Sequence, residues 1–192
     1  MSSPDYRALP PDLPVPADDG AADHLLGLRL PALALPSTHG GELDLAAAAA
    51  AAGTLVLYVY ARTGTPGQSS PDGWDAIPGA RGCTPQSCAL RDHHAELRAL
   101  GADVLGLSAQ TTQEQREFAE REHLPFALLS DPALRLADAP LELPTFEAGG
   151  MRLYKRITLI ADASGTIAKA FYPVFPPDRN AADVLAWLRG RR

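Results

Sequence analysis

The sequence predicts an α/β sandwich, a mixed sheet with helices on both faces, and three observations carry that reading. Residues 54–60 run TLVLYVY, nearly all β-branched, aromatic or leucine, the composition of a strand covered on both sides. Segments of strand length alternate with segments of helical period, in the order strand, helix, strand, helix, hairpin, helix. Near the end, RITLIA (156–161) and TIAKAF (166–171) flank Asp162-Ala163-Ser164-Gly165, which reads as the loop of a hairpin.

Each element follows from local chemistry. Residues 29–35 (RLPALAL) read as a short strand, followed by a turn over 37–41, and the alanine-rich run after Leu45 as a short helical segment. After the 54–60 strand, residues 61–82 are rich in Gly, Pro, Ser and Thr. A structureless run of that length inside a compact domain is often functional. From Cys83 to Leu100 the pattern turns helical, with Pro85 in the first turn, where its missing N–H costs least. Residues 103–108 (DVLGLS) read as a second core strand and 111–122 as a polar-faced helix capped by Thr111 or Thr112. Residues 125–129 form a short buried stretch, and Asp131 reads as the cap of a helix opening at Pro132. Asp178 reads as the cap of the last helix, 179–189, with Val184, Leu185 and Leu188 facing inward.

The 192 residues favour one domain, 20–192, preceded by a flexible arm over 1–19. A net charge of −6 and the absence of a long basic run exclude a phosphate-binding surface, so no nucleic-acid partner is expected. Residues 3–5 precede no apolar core of a leader peptide, and the alanine run over 45–53 is too short to span a bilayer. The expectation is a cytoplasmic protein with no membrane partner.

Only two cysteines occur, Cys83 and Cys88. A stapled secreted scaffold would carry more. Cys83, Cys88, His93 and His94 do not match a usual zinc-ligand spacing, so neither metal nor cofactor is expected. Cys83 opens a helix, where free N–H groups and the positive helix end favour its thiolate, the nucleophilic form. Cys88 lies five residues on, about 140° around an intact helix and about 7.5 Å along it, giving a Cα separation of roughly 8.5 Å. A disulfide needs less than about 7 Å. The two can therefore bond only if the first turns unwind, which makes the site a two-state device. The competing reading of each cysteine is an inert core residue.

These pieces resemble the peroxiredoxins, especially the bacterioferritin-comigratory or Q-type subfamily, over roughly residues 28–188. The matches are Tyr60 at the end of a strand, Thr65-Pro66-Gly67, Gly82-Cys83-Thr84 with Gln86, then Cys88, and Arg91-Asp92 after it. PFALLSD over 125–131 and the strand opening at Arg156 match later segments. The resemblance implies a thioredoxin-like fold that reduces hydrogen peroxide or organic hydroperoxides. Cys83 would be peroxidatic and Cys88 resolving, with an intrachain disulfide recycled by thioredoxin or a similar thiol reductant. Arg156 would lie against the thiolate and orient the peroxide, and Thr65 would offer its hydroxyl. Since resolution would occur within one chain, a monomer suffices.

The departure is an insertion. Where the family runs Thr-Pro-Gly straight into Cys, residues 68–82 intervene here, with Trp74 read as anchoring the loop to the core. Ala80 stands where a threonine usually precedes the cysteine, and Ala61 where a proline usually follows the strand. His93 and His94 read as helix-surface residues, and His39 and His123 as turn residues without a role. Two other functions compete. A protein thiol–disulfide oxidoreductase would favour a Cys-x-x-Cys pair, against which the five-residue step argues. A non-enzymatic redox sensor on the same fold is compatible with the altered loop.

Overall fold

A computed structural model describes residues 6–191; residues 1–5 and 192 lie outside it, and with them the leader reading and the start of the arm. A small hairpin comes first, β1 (Ala34–Pro36) paired antiparallel with β2 (Glu42–Asp44). Helix α1 (Leu45–Ala52) follows, capped by the Asp44 carboxylate, which accepts from Ala47 N–H at 2.8 Å. Strand β3 (Thr54–Val59) leads into the long loop, then α2 (Cys83–Asp92) and α3 (His94–Ala99). Strand β4 (Ala102–Ser108), helix α4 (Thr112–Glu122) and strand β5 (Leu128–Ser130) come next. A second hairpin, β6 (Thr145–Ala148) and β7 (Met151–Tyr154), precedes β8 (Ile157–Asp162), β9 (Ile167–Phe171) and α5 (Asn180–Arg189).

The central sheet has the order β5-β4-β3-β8-β9. β3 lies in its middle, parallel to β4 and antiparallel to β8, so the sheet is mixed. The period of two along β3 divides the core. Leu55, Leu57 and Val59 face one apolar layer with Leu45 and Ala49 of α1, and Val56, Tyr58 and Tyr60 face another with Leu90, Phe118 and Leu185. Helices thus cover both faces, a thioredoxin-like α/β fold. No helix of the described residues is long and apolar enough to cross a membrane.

Several elements differ from the sequence reading. The strand over 29–35 contracts to β1, with Pro31 inside the lost part. The helix over 83–100 breaks at His93, whose backbone leaves the helical well (φ −96, ψ 5) and whose Nδ1 lies 2.7 Å from Glu96 Oε1. At residues 132–137 only a single 3-10 turn forms, Arg135–Ala137, because Leu134 takes a left-handed φ of 54. The Asp131 carboxylate instead accepts from Tyr154 Oη at 2.7 Å and Leu136 N–H at 3.2 Å. Asp178 sits inside a 3-10 turn, Pro177–Arg179, and does not cap α5. The β6–β7 hairpin is an addition, turning on Gly149 and Gly150, both at positive φ.

Candidate active site

Strand β3 ends under the long loop, and the loop delivers Gly82 to the start of α2. Gly82 has a φ of 108, and a Cβ there would lie 2.3 Å from Pro177 Cγ and 3.0 Å from Leu9 Cδ2. Only glycine can turn the chain this tightly into the helix. Pro85 lacks an N–H, and Gln86 N–H bonds Gly82 O at 3.1 Å. Cys83 and Thr84 therefore hold the first-turn amides that no helical carbonyl can reach.

Cys83 is 2% exposed and Arg156, immediately before β8, is 4% exposed. Arg156 Nη2 donates to Cys83 Sγ at 3.3 Å, and Sγ also lies 3.7 Å from Ala80 O. The guanidinium is held from two sides. Nη1 donates to Gln86 Oε1 at 2.6 Å, and Gln86 Nε2 donates in turn to Asn180 Oδ1 at 3.0 Å, which also accepts from Thr158 Oγ1 at 2.7 Å. On the other side Nη2 meets Gly79 O at 3.2 Å and Arg81 O at 3.1 Å. A planar fork with fixed donors suits such multi-point anchoring.

A small polar pocket opens at Cys83, bordered by Thr63, Thr65, Gln68, Trp74 and Thr84, with Tyr6 and Arg81 at its rim. Its volume is about 30 Å³, room for about two water-sized atoms. Thr65 therefore shares a pocket with Cys83 across the insertion, while the Thr63 hydroxyl and N–H are both bonded to Gln110 Oε1. Trp74 is buried against Phe146 of β6, ring centroids 6.1 Å apart, and also borders the pocket. Tyr6 crosses the pocket rim, its Oη donating to Gln68 O at 2.5 Å and its ring lying under the Arg81 guanidinium at 5.2 Å.

At the second turn of α2 the surroundings reverse. Cys88 is half-buried, and its thiol points at Glu122 of α4, Sγ to Oε2 3.6 Å. Burial pushes the Cys88 thiol up from its ordinary pKa; Arg91 pulls it down, and Glu122 pushes it up further through charge and hydrogen bond. Arg91 Nη1 donates to Glu122 O at 2.7 Å and Nε to Asp92 Oδ1 at 2.8 Å. Both thiols are free and α2 is continuous between them. His93 pairs with Glu96 and the His94 ring packs on Phe126, so neither borders the Cys83 pocket. No group of three or more His, Cys, Asp or Glu among the described residues is placed to hold a metal ion.

The sequence pattern of the Redoxin family matches residues 25–185. The chain belongs to that family, on its peroxiredoxin Q (Bcp) branch. It is 30% identical over 161 residues to peroxiredoxin bcp1 of Schizosaccharomyces pombe, covering 83% of this chain and 73% of that one. Peroxiredoxin Bcp of Escherichia coli K12 is 29% identical over 167 residues, covering 83% and 92%. The crystal structure of peroxidoxin BcpB from Mycobacterium tuberculosis superposes with a TM-score of 0.70 at 26% identity, covering 87% of this chain and 97% of that one. As a peroxiredoxin the chain is a thiol-redox enzyme of the thiol-peroxidase class.

Sequence reasoning named Cys83, Cys88, Arg156 and Thr65. It missed what supports them: the Asn180–Thr158 pair behind Gln86, the carbonyls of Gly79 and Arg81, and Glu122. Gln86 was visible as part of the motif, and its buried amide is what links the motif helix to Arg156. The others carry no local signal, because each meets the site from a distant segment.

Proposed function

We propose that this peroxiredoxin reduces hydrogen peroxide or small organic hydroperoxides through a Cys83 sulfenic acid and an intrachain Cys83–Cys88 disulfide. The observation that carries the reading is the Arg156 guanidinium 3.3 Å from the Sγ of buried Cys83, a residue that also borders a small polar pocket. The Cys83 thiolate attacks one peroxide oxygen; the S–O bond forms as the O–O bond breaks. The second oxygen leaves as hydroxide or alkoxide and takes up a proton to become water or alcohol. Arg156 faces the charge that shifts onto that oxygen, and a preorganised cation in a buried site acts there without solvent reorganisation. Thr65, which borders the same pocket as Cys83, offers its hydroxyl to the bound peroxide.

Resolution then requires α2 to unwind, because its two cysteines are five residues apart in a continuous helix. The Cys88 thiol gives up its proton and its sulfur attacks Cys83. The S–S bond forms, the S–O bond breaks, and hydroxide leaves as water. Thioredoxin or a similar dithiol reductant restores both thiols by exchange. The spacing favours this reading over a protein disulfide oxidoreductase, whose pair a helix would hold nearly preformed.

Peroxide consumption with thioredoxin as reductant tests the assignment. Cys83→Ser is expected to abolish turnover. Cys88→Ser is expected to retain one equivalent of peroxide reduction, with a sulfenic acid that dimedone traps, and to lose recycling. Peroxide reduction at the wild-type rate by Cys83→Ser would overturn the reading.

A further inference from the structure

The carboxylate of Glu122 is 3% exposed and stands among cations drawn from three segments. Arg7 of the N-terminal arm brings Nε and Nη2 each to 3.0 Å from Oε2. Arg121 Nε of α4 lies 3.3 Å from Oε1, and Arg91 Nη1 of α2 lies 3.9 Å from Oε2. Oε2 also meets the Cys88 thiol at 3.6 Å. A buried carboxylate held by arginines serves here as a hydrogen-bond acceptor that S–H satisfies and S⁻ repels.

We propose that Glu122 is a positioning residue that holds Cys88 as a docked, protonated thiol, so that the resolving step waits for Cys88 to leave this carboxylate. The proposal deepens the peroxidase reading and rests on it for the role of Cys88. Three physical effects act in the same direction. Half-burial disfavours the thiolate, the carboxylate charge disfavours it, and the hydrogen bond stabilises its protonated form. Arg91 and Arg7 act the other way, and the net direction is upward. The same contact ties the second turn of α2 to the end of α4, since Arg91 also binds the Glu122 carbonyl at 2.7 Å. Unwinding of α2 and release of the thiol are therefore one event. Two consequences follow for the chemistry. Cys88 in the resting enzyme is protected from direct oxidation, because the thiolate is the form that peroxide attacks. The Cys83 sulfenic acid outlives the peroxide step by the time that this release takes.

The test isolates Cys88 in the Cys83→Ser protein and follows its alkylation by iodoacetamide from about pH 6 to about pH 10, spanning the free-thiol value of about 8.5. Glu122→Gln keeps a carbonyl oxygen beside the sulfur and removes the charge. Each tenfold gain in thiolate fraction is offset by about a threefold loss of nucleophilicity. The Gln variant is thus expected to react roughly threefold faster at neutral pH and roughly threefold slower on the alkaline plateau, its profile crossing that of the parent. A purely structural loosening would raise the rate at every pH without moving the midpoint. Glu122→Asp is expected to keep the parent midpoint and guards against a Gln variant that folds poorly. A Gln profile that coincides with the parent, or whose midpoint moves to higher pH, overturns the proposal. In the protein with both cysteines, Glu122→Gln is expected to speed disulfide formation after one equivalent of peroxide at neutral pH, and unchanged or slower formation counts against the proposal. Failure of the parent itself to form the disulfide would instead overturn the role of Cys88, leaving the alkylation result intact.

Discussion

Cys83 and Cys88 sit on one helix, five residues apart, in opposite electrical settings. The sulfur of Cys83 faces a guanidinium, and that of Cys88 faces a carboxylate. The second setting favours a neutral S–H. Helix position contributes only at the first site, where the amides of the first turn are free, because by the second turn they are spent on carbonyls. Neither facing charge belongs to α2: Arg156 is 73 residues away in sequence and Glu122 is 34. The difference teaches that the two halves of the proposed cycle are set by separate distant segments, so they are separable by mutation.

The largest break is expected at Arg156. Arg156→Lys keeps the charge but cannot span Gln86 on one side and the Gly79 and Arg81 carbonyls on the other. Its second-order rate with peroxide is expected to fall by about 10²–10³-fold, the scale of losing one preorganised donor at a reacting oxygen. Stopped-flow measurement of the first half-reaction checks this, and Cys88 alkylation should not change. A loss of less than about tenfold would mean that charge alone, and not the held fork, carries the effect.

That fork also marks where sequence reading stopped. β3 was legible because seven consecutive strand-forming residues admit little else, and the motif around Cys83 because its residues lie close together. Arg156 was legible only through the likeness of its strand to the family. The insertion read as an interruption, yet its last residues supply the carbonyls that hold Arg156, and Trp74 fixes it to β6 while bordering the pocket. The β6–β7 hairpin did have a signal, the pair Gly149-Gly150 between residues of strand character, a two-residue turn with both φ positive. Leu134 had none: a leucine at φ 54 cuts short the helix that Asp131 and Pro132 predict. Glu122 was visible as the end of a helix, but nothing local tells that its carboxylate turns inward to a thiol.

A middle-sized effect is expected at Gly82, which touches only the Cys83 side of the comparison. Gly82→Ala forces a non-glycine residue to a φ of 108 and places a Cβ 2.3 Å from Pro177 Cγ. The expected cost is about 1–3 kcal/mol, seen as a lower denaturant midpoint. Since the start of α2 must shift to relieve the clash, peroxide reactivity should fall with it. The Cys88–Glu122 contact lies a turn and a half further on, so the pH midpoint of Cys88 alkylation should stay put. If both sulfurs respond together, α2 moves as a rigid rod and the two settings are not independent.

The smallest effect sharpens the Cys83 side further. Thr65 borders the pocket across 15 inserted residues, 68–82, whereas the Thr63 hydroxyl is committed to Gln110. Thr65→Val keeps shape and removes one neutral hydrogen bond to the bound peroxide, worth about 0.5–1.5 kcal/mol, or roughly a threefold to tenfold loss in peroxide rate. Thr63→Val is expected instead to remove one of the two hydrogen bonds that Thr63 makes to the buried Gln110 Oε1, leaving the backbone one, and to cost stability. Saturation kinetics on the two variants separates them: the rate changes in one and the melting temperature in the other. Should Thr63→Val be the one that slows peroxide reduction without loss of stability, the hydroxyl that serves Cys83 comes from the strand side of Pro66, and the insertion has displaced Thr65 from the reaction.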